Sequence, residues 1–206
     1  MTQERIPASA LSGWVAERAS GASRFLFGLA GPPGSGKSTV ADRLVADLDG
    51  VVVPMDGFHL PNDVLDRRGL RGVKGAPVTF DSRAFVRAVR HLRQTAEPVH
   101  LPDFDRELDE PRAERITVAT DARIVVVEGN YLLLDEPPWS ELHGLFDAVA
   151  YLDIDRDVRF GRLVDRHVRF GRTRRDAIDF VRSSDEPNAD RVVASSDRAD
   201  LVVDAD

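Results

Sequence analysis

The sequence predicts an α/β fold in which helices cover both faces of a parallel β-sheet. Short, almost continuously apolar segments alternate with longer amphipathic segments along the 206 residues. Strands that are apolar throughout are typical of parallel sheets buried on both faces. A chain of this length, with 42% hydrophobic and 31% charged residues, contains enough apolar surface for one core. We therefore expect a single domain over residues 1–206.

The apolar segments are the predicted strands, and the amphipathic segments are the predicted helices. The strands are expected at residues 24–30, 51–55, 123–128, 148–154 and 199–203, and the helices at residues 37–48, 81–94 and 157–170. Glycine and proline interrupt the stretch from residue 55 to residue 80, which predicts irregular structure there. Parallel sheets bind ligands beyond the carboxyl ends of their strands, so the residues that follow the strands are the candidates for a functional site.

The composition excludes several classes of protein. The chain has no cysteine, which excludes disulfide frameworks, thiol catalysis and thiolate zinc sites. Its net charge of −7 argues against general binding to nucleic acid or to an anionic membrane, because both partners favour a basic surface. No segment approaches the roughly 18 apolar residues of a membrane span, and the first residues do not resemble a signal peptide. We therefore expect a cytoplasmic protein that binds neither nucleic acid nor membrane.

Residues 31–39, GPPGSGKST, match the phosphate-binding motif G-x-x-x-x-G-K-[ST] between a predicted strand and a predicted helix. Glycines let the backbone wrap closely around a polyphosphate, and the amides point at it from the positive end of the helix dipole. Lys37 is expected to contact the β- and γ-phosphates, and the Ser38 hydroxyl is expected to bind Mg²⁺. The motif predicts a three-layer P-loop NTPase fold that uses ATP and Mg²⁺. The predicted nucleotide-binding residues are Gly31, Pro32, Pro33, Gly34, Ser35, Gly36, Lys37, Ser38 and Thr39.

Acidic residues end three of the predicted strands. Asp56 follows the second strand and begins the segment DGFHLPN, where a carboxylate is suited to accept the proton of an attacking hydroxyl. Glu128 and Asp153 end the next two strands, and each is a candidate for the acid that P-loop proteins use at Mg²⁺. Gly129 and Asn130 indicate close approach of the backbone to a ligand, which favours Glu128. Asp153 precedes a helix and is suited to cap it.

Arginines are concentrated in the third predicted helix. Arg159, Arg162, Arg166 and Arg169 are spaced by three, four and three residues, so they share one helix face. One interpretation is a solvated face that pairs with neighbouring acids. The other is a mobile, arginine-rich lid over about residues 157–185. Arginines on such a lid stabilise the charge of a transferring phosphoryl group, and the lid excludes water.

The motifs resemble those of the P-loop small-molecule kinases that include uridine kinase, phosphoribulokinase and bacterial type I pantothenate kinase. Residues 56–81, DGFHLPNDVLDRRGLRGVKGAPVTFD, resemble the pantothenate kinase pattern. Residues 98–108, PVHLPDFDREL, and residues 125–134, VVVEGNYLLL, resemble the uridine kinase branch. The short length resembles compact bacterial members that are labelled fructose-transport or nucleoside kinase-like. Pro102 departs from the uridine kinases, which carry a tyrosine there, and the chain lacks the long C-terminal part of type I pantothenate kinases.

This resemblance implies transfer of the γ-phosphoryl group of ATP to a hydroxyl of a nucleoside-, sugar- or pantothenate-like metabolite, with Asp56 as the catalytic base. It also implies roles for further residues. Lys37, Arg162 and Arg166 would act in catalysis, and Arg169 and Asn188 would contact the nucleotide. The acceptor site would contain His59, Lys74, Asp103, Arg106, Glu128 and Tyr131, and Mg²⁺ would be bound by Ser38 and Glu128.

The alternative is a P-loop NTPase that acts as a nucleotide-dependent switch or regulator without a small-molecule acceptor. Residues 66–69, DRRG, match the switch motif D-x-x-G only nominally, because no predicted strand precedes them, and no N-K-x-D guanine motif occurs. The sequence leaves open the identity of the acceptor, the choice between ATP and GTP, and the oligomeric state. It is compatible with a homodimer.

Overall fold

The computed structural model describes residues 3–95 and 97–205, and its main feature is a six-stranded parallel sheet. The strands are β1 (Glu4–Pro7), β2 (Phe25–Ala30), β3 (Val51–Pro54), β4 (Val99–Asp105), β5 (Glu110–Val118), β6 (Ile124–Gly129), β7 (Ala148–Asp153) and β8 (Leu201–Asp204). The helices are α1 (Leu11–Arg18), α2 (Lys37–Leu48), α3 (Asn62–Arg67), α4 (Ser82–Gln94), α5 (Arg156–Arg169), α6 (Arg174–Phe180) and α7 (Glu186–Val193), with a π-helical segment (Val181–Asp185) between the last two. The main sheet has the order β1-β8-β7-β2-β6-β3, and β4 and β5 form a separate antiparallel hairpin.

Alternate residues of the central strands face opposite sides of the sheet and build two cores. On one side, Leu26 of β2 and Val125 of β6 pack in a cluster with Phe85 of α4. On the other side, Phe27 and Val126 belong to a cluster that includes residues of α1 and α2. Both β2 and β6 are buried along their whole length, which explains why their sequences are apolar throughout. The predicted three-layer α/β fold with a parallel sheet is thus confirmed.

The predicted strands and helices are present, with ends that differ by one or two residues at most. The apolar pattern of the sequence did not predict β1 and α1, the β4–β5 hairpin, or α6 and α7. The stretch between residues 55 and 80, in which glycine and proline are frequent and no helix was predicted, contains α3 and several 3₁₀ turns. β1 is a short edge strand, and β5 is largely exposed, so neither shows the continuous apolar pattern of the central strands. Among the described residues, no helix is long and apolar enough to cross a membrane.

Arg24, which precedes β2, joins the end of α4 to the turn before β6. Its Nε donates to the carbonyl of Ala122 at 3.2 Å. Its two terminal nitrogens donate to the carbonyls of Leu92, Thr95, Ala119 and Thr120 at 2.9–3.3 Å. All five N–H groups of one guanidinium are therefore used on backbone carbonyls, an arrangement that the single ammonium of lysine cannot reproduce.

We expect Arg24→Met to lower the free energy of unfolding by about 2 kcal/mol, because several carbonyls lose a charged donor. Arg24→Lys should recover less than half of this loss. Urea denaturation measures both, and Arg83→Met, an exposed substitution on α4, serves as the control with an expected change within about 0.5 kcal/mol. Equal stability of the Arg24 and Arg83 variants would contradict this account.

Candidate active site

The register of three adjacent strands brings the predicted site residues to one edge of the sheet. β2 pairs with β6 so that Ala30 lies opposite Gly129, and β3 pairs with β6 so that Pro54 lies opposite Glu128. The phosphate-binding loop follows β2 directly, and Asp56 lies two residues beyond Pro54. The phosphate-binding loop, Glu128 and Asp56 therefore meet at the carboxyl ends of neighbouring strands, where parallel sheets bind their ligands.

The loop from Gly31 to Gly36 connects β2 to α2, and Lys37, Ser38 and Thr39 form the first turn of that helix. Gly34 and Gly36 have φ values of 79° and 95°, which only glycine adopts readily. A Cβ at Gly34 would lie 2.8 Å from Cγ of Leu163 in α5, so the loop also packs closely against the arginine-rich helix. Ser35 Oγ is buried and has no hydrogen-bond partner among the described residues. These features fit a cradle for a polyphosphate.

Lys37 is buried within this cradle, and its ammonium makes two hydrogen bonds. Nζ donates to the carbonyl of Pro32 at 3.1 Å and to Oδ1 of Asn130 at 2.8 Å. Burial lowers the pKa of Lys37 to about 8, and the negative charges of Glu128 and Asp56 oppose that shift. The side chain therefore carries its charge at neutral pH but loses it in mildly alkaline solution. The role of Asn130 as its partner was missed in the sequence, although its position after Glu128 had suggested a ligand nearby.

Glu128 is the buried acid of the site. Ser38 Oγ donates to its Oε1 at 2.9 Å. Burial raises the pKa of Glu128, whereas the positive charge of Lys37 acts to lower it. A hydroxyl and a carboxylate this close together form an oxygen donor pair that fits Mg²⁺.

Asp153, the competing candidate, has a different environment. It is 41% exposed and pairs with Arg5 of β1 at 2.9 Å. The sequence suggested that Asp153 caps the following helix. The cap is instead Asp155, which accepts from the backbone N–H groups of Asp157 and Val158. The geometry beside the phosphate-binding loop thus favours Glu128 over Asp153 as the metal-binding acid.

Asp56 lies in a 3₁₀ turn after β3 and is 31% exposed on its side chain. Its Oδ2 lies 3.5 Å from Nη2 of Arg106, which extends from the turn of the β4–β5 hairpin. Its backbone carbonyl lies 2.9 Å from Nδ1 of His59. Asp105, which precedes Arg106 in the chain, pairs with Arg112. The structure thus pairs the candidate base with an arginine.

Two aromatic or heteroaromatic residues of the predicted acceptor site are packed into the protein. The ring of His59 lies 3.9 Å from that of Phe80 and 5.0 Å from that of Phe104, measured between centroids. Burial lowers the pKa of His59, which keeps the ring neutral at pH 7. Tyr131 is fully buried, its hydroxyl donates to the carbonyl of Gly75 at 2.5 Å, and burial raises its pKa.

Lys74 fastens the segment after α3 to the hairpin. Its ammonium donates to Oδ1 of Asn62 at 2.8 Å, and to the carbonyl and Oδ2 of Asp109 at 2.6 and 2.8 Å. The ammonium also lies 5.0 Å from the ring centroid of Phe104. Asp103 Oδ1, in β4, accepts from the backbone N–H of Phe104 at 2.7 Å. The contacts of Asn62 and Asp109 were not predicted, since nothing in the local sequence marks them as partners.

The arginines of α5 divide into buried and exposed members. Arg159, which the sequence grouped on one face with the others, is 4% exposed and forms an ion pair with the buried Glu186 of α7. Arg162 is exposed, and its Nη1 lies 3.4 Å from the carbonyl of Ser35 in the phosphate-binding loop. Arg166 is close enough to Lys37 for its positive charge to lower the pKa of the Lys37 ammonium.

The remaining predicted nucleotide contacts lie further along the chain. Arg169 is exposed at the end of α5. Asn188 is buried in α7, on the same side of the helix as Ala189 and Val192. The contacts of Arg169 and Asn188 with a nucleotide remain predictions.

The model of the phosphoribulokinase/uridine kinase family matches residues 26–205. The chain belongs to this family. The match extends from β2 to the end of β8 and confirms the resemblance that the motifs at Asp56 and Glu128 had indicated. Membership of this kinase family supports the use of ATP and phosphoryl transfer to a small metabolite.

Several curated relatives of this protein are named as kinases. A Schizosaccharomyces pombe protein provisionally named a uridine kinase is 39% identical over 153 residues, which are 68% of this chain and 65% of that protein. A pantothenate kinase of Leifsonia xyli is 36% identical over 154 residues, which are 69% of this chain and 47% of that kinase. An uncharacterized protein of Escherichia coli is 37% identical over 85% of this chain and 76% of its own length. The chain thus spans less than two thirds of the first two relatives.

Solved structures of related kinases have the same fold. A protein from Silicibacter sp. TM1040, provisionally named a fructose transport system kinase, is 38% identical, with a TM-score of 0.88 over 96% of this chain and 98% of that one. YFH7 of Saccharomyces cerevisiae, provisionally described as a P-loop-containing kinase with a circular permutation, has a TM-score of 0.79 at 19% identity, over 97% of this chain and 98% of its own. The predicted P-loop kinase architecture is therefore confirmed at the level of the fold.

The pKa of Lys37 makes nucleotide binding dependent on pH. Because only the protonated side chain attracts phosphate, the dissociation constant of ADP in metal-free buffer should rise about tenfold between pH 7 and pH 9. Isothermal titration calorimetry measures this change. Lys37→Met is the control, since its weaker binding should not vary over the same range. A wild-type affinity that stays constant from pH 7 to pH 9 would contradict the depressed pKa.

Proposed function

We propose that this protein transfers the γ-phosphoryl group of ATP to a hydroxyl of a small metabolite by direct, in-line attack. The observation that carries the proposal is the meeting of Lys37, Ser38, Glu128 and Asp56 at one edge of the sheet. The first three form the phosphate and metal side of the site, in which Lys37 and Glu128 are buried. Asp56 is partly exposed on the opposite side, where a second substrate has access.

In the proposed reaction, Lys37 binds the β- and γ-phosphates, and Ser38 and Glu128 hold Mg²⁺. When bound, Mg²⁺ neutralises charge on the phosphate oxygens. The acceptor oxygen forms a bond to the γ-phosphorus while the bond from that phosphorus to the β–γ bridging oxygen breaks, which releases ADP. Asp56 takes the proton of the attacking hydroxyl and later gives it to water. Arg162 and Arg166 of α5 stabilise the charge of the transferring group in this proposal.

His59, Lys74 and Tyr131 act mainly by shaping the acceptor side. His59 and Lys74 fix the segment after Asp56 against the β4–β5 hairpin, and Tyr131 ties the same segment to the residues that follow β6. The acceptor therefore binds beside a wall that is preorganised by buried hydrogen bonds and aromatic contacts. A nucleotide-dependent switch has no need of such a wall, which is the reason we favour a kinase over that alternative.

Asp56→Asn should lower the transfer rate at least about 10³-fold, because the amide cannot accept the hydroxyl proton. Binding of ATP should change less than about twofold, since Asp56 lies outside the phosphate-binding loop. ADP release across a panel of nucleosides, sugars and pantothenate measures transfer. Asp63→Asn removes an exposed acid that pairs with Arg67 on α3, and it is expected to behave as wild type. Full activity of Asp56→Asn would exclude the role of the base.

Lys74→Arg should impair use of the acceptor more than use of ATP. The ammonium of Lys74 donates to Asn62 and to the backbone carbonyl and Oδ2 of Asp109. A planar guanidinium does not fit this site, so the hairpin should be held less tightly. With the best acceptor of the panel, we expect its KM to rise about tenfold, which corresponds to the loss of one or two hydrogen bonds. The KM for ATP should stay within twofold of wild type. An equal rise in both KM values would show that Lys74 does not act on the acceptor side.

A further inference from the structure

Arg106 differs from the other polar side chains on the acceptor side. Lys74 uses its three donors on Asn62 and Asp109, and the Tyr131 hydroxyl donates to a backbone carbonyl. The side chain of Arg106 is 53% exposed, and among the described residues Asp56 is the one group with which its guanidinium pairs. Arg106 therefore has donors that remain available to a second substrate.

The backbone that carries this pair is fixed, so the movable part is the arginine side chain. A Cβ at Gly57 would lie 2.4 Å from the carbonyl oxygen of Pro102, which shows that the turn of Asp56 packs tightly on β4. Asp105 Oδ1 accepts from the backbone N–H groups of Glu107 and Leu108 at 3.1 Å, which stabilises the turn that contains Arg106. The guanidinium can thus leave Asp56 by rotation of its own side chain, without movement of the hairpin.

Arg106 lies beside Oδ2 of Asp56, and its departure would leave both carboxylate oxygens open to the hydroxyl of an acceptor. Ion pairs between exposed side chains are weak, so another anion can readily take the guanidinium. Arginine binds carboxylates and phosphates through two parallel hydrogen bonds. A neutral hydroxyl compound offers no such replacement, and Arg106 would remain on Asp56.

We propose that Arg106 selects acceptors that carry an anionic group, a carboxylate or a phosphate monoester, in addition to the hydroxyl that is phosphorylated. This inference rests on the proposed function and names the substrate class of the same site. The anion of the acceptor takes the guanidinium from Asp56, and Asp56 then accepts the hydroxyl proton. The same pair restrains hydrolysis of ATP, in which water would attack the γ-phosphorus, ADP and phosphate would be released, and the proton of the water would pass to Asp56.

Matched pairs of acceptors test the selection. We would compare pantothenate with pantothenol for the carboxylate, and ribose 5-phosphate with ribose for the phosphate, by ADP release. In at least one pair, kcat/KM for the anionic member should exceed that for the neutral member about 100-fold or more. The pair that shows this difference identifies the anion. Arg106→Gln should reduce the preference to less than about threefold by raising the KM of the anionic acceptor, with the KM for ATP unchanged.

The chain offers a closely matched control on the same hairpin. Arg112 is also 53% exposed and pairs with an aspartate, Asp105, at 3.7 Å. Arg112→Gln should keep the preference for the anionic acceptor. Equal use of the charged and neutral members by the wild type, or an unchanged preference in Arg106→Gln, would overturn the proposal.

ATP hydrolysis without any acceptor gives a second, independent readout. Arg106→Gln should hydrolyse ATP several times faster than wild type because Asp56 is freed to orient water, whereas Arg112→Gln should not, and adding Asp56→Asn should remove the gain. If no compound of the panel is phosphorylated, equal rates for wild type and Arg106→Gln overturn the proposal. Transfer by Asp56→Asn at the wild-type rate would instead refute the proposed function, which separates the two failures.

Discussion

The burial of two opposite charges, Lys37 and Glu128, is the constraint on which the site depends. A buried ammonium and a buried carboxylate are costly unless each is paired and hydrogen-bonded. Lys37 meets this need through Pro32 and Asn130, and Glu128 through Ser38. All of these partners come from the phosphate-binding loop, the first turn of α2 or the end of β6. The pairing of β2 with β6 is therefore what allows the charges to be buried.

The acceptor side depends on a different interaction, the attachment of the β4–β5 hairpin to the segment after α3. The hairpin forms no part of the main sheet, but Val99, Leu101 and Val118 anchor it in the core. Lys74, the close approach at Gly57 and the aromatic contacts of Phe104 add to this anchoring on the acceptor side. Glu110 adds to this by accepting from the backbone N–H of Asn62 at 3.1 and 3.2 Å. The two halves of the site thus pack on the same core but are held by separate polar contacts. Changes to the hairpin can alter the acceptor without disturbing the phosphate-binding loop.

The parts of the fold and site that the sequence predicted are those that a short segment encodes by itself. The loop at Gly31–Thr39 carries its glycines, lysine and serine together, and the central strands are recognisable because they are buried on both faces. Pairs that form across long separations could not be predicted in this way. Asn62 and Asp109 are 47 residues apart, and Arg159 and Glu186 are 27 residues apart. Their polar side chains look the same in sequence as those of solvated residues, and only the tertiary fold brings them together.

The buried pair of Arg159 and Glu186 limits which part of the arginine-rich segment is able to move. The first half of α5 is held by this pair and by the contact of Leu163 with Gly34, and displacing it would expose an arginine and a glutamate that are both buried. Beyond that point, α5 and α6 are mostly exposed, and the contact between His167 and Asp185 at 2.7 Å joins α5 to the π-helical segment. A lid within residues 157–185 would therefore bend beyond Leu163, and Arg162 would remain next to the phosphate-binding loop while Arg166 and Arg169 approach or leave the nucleotide.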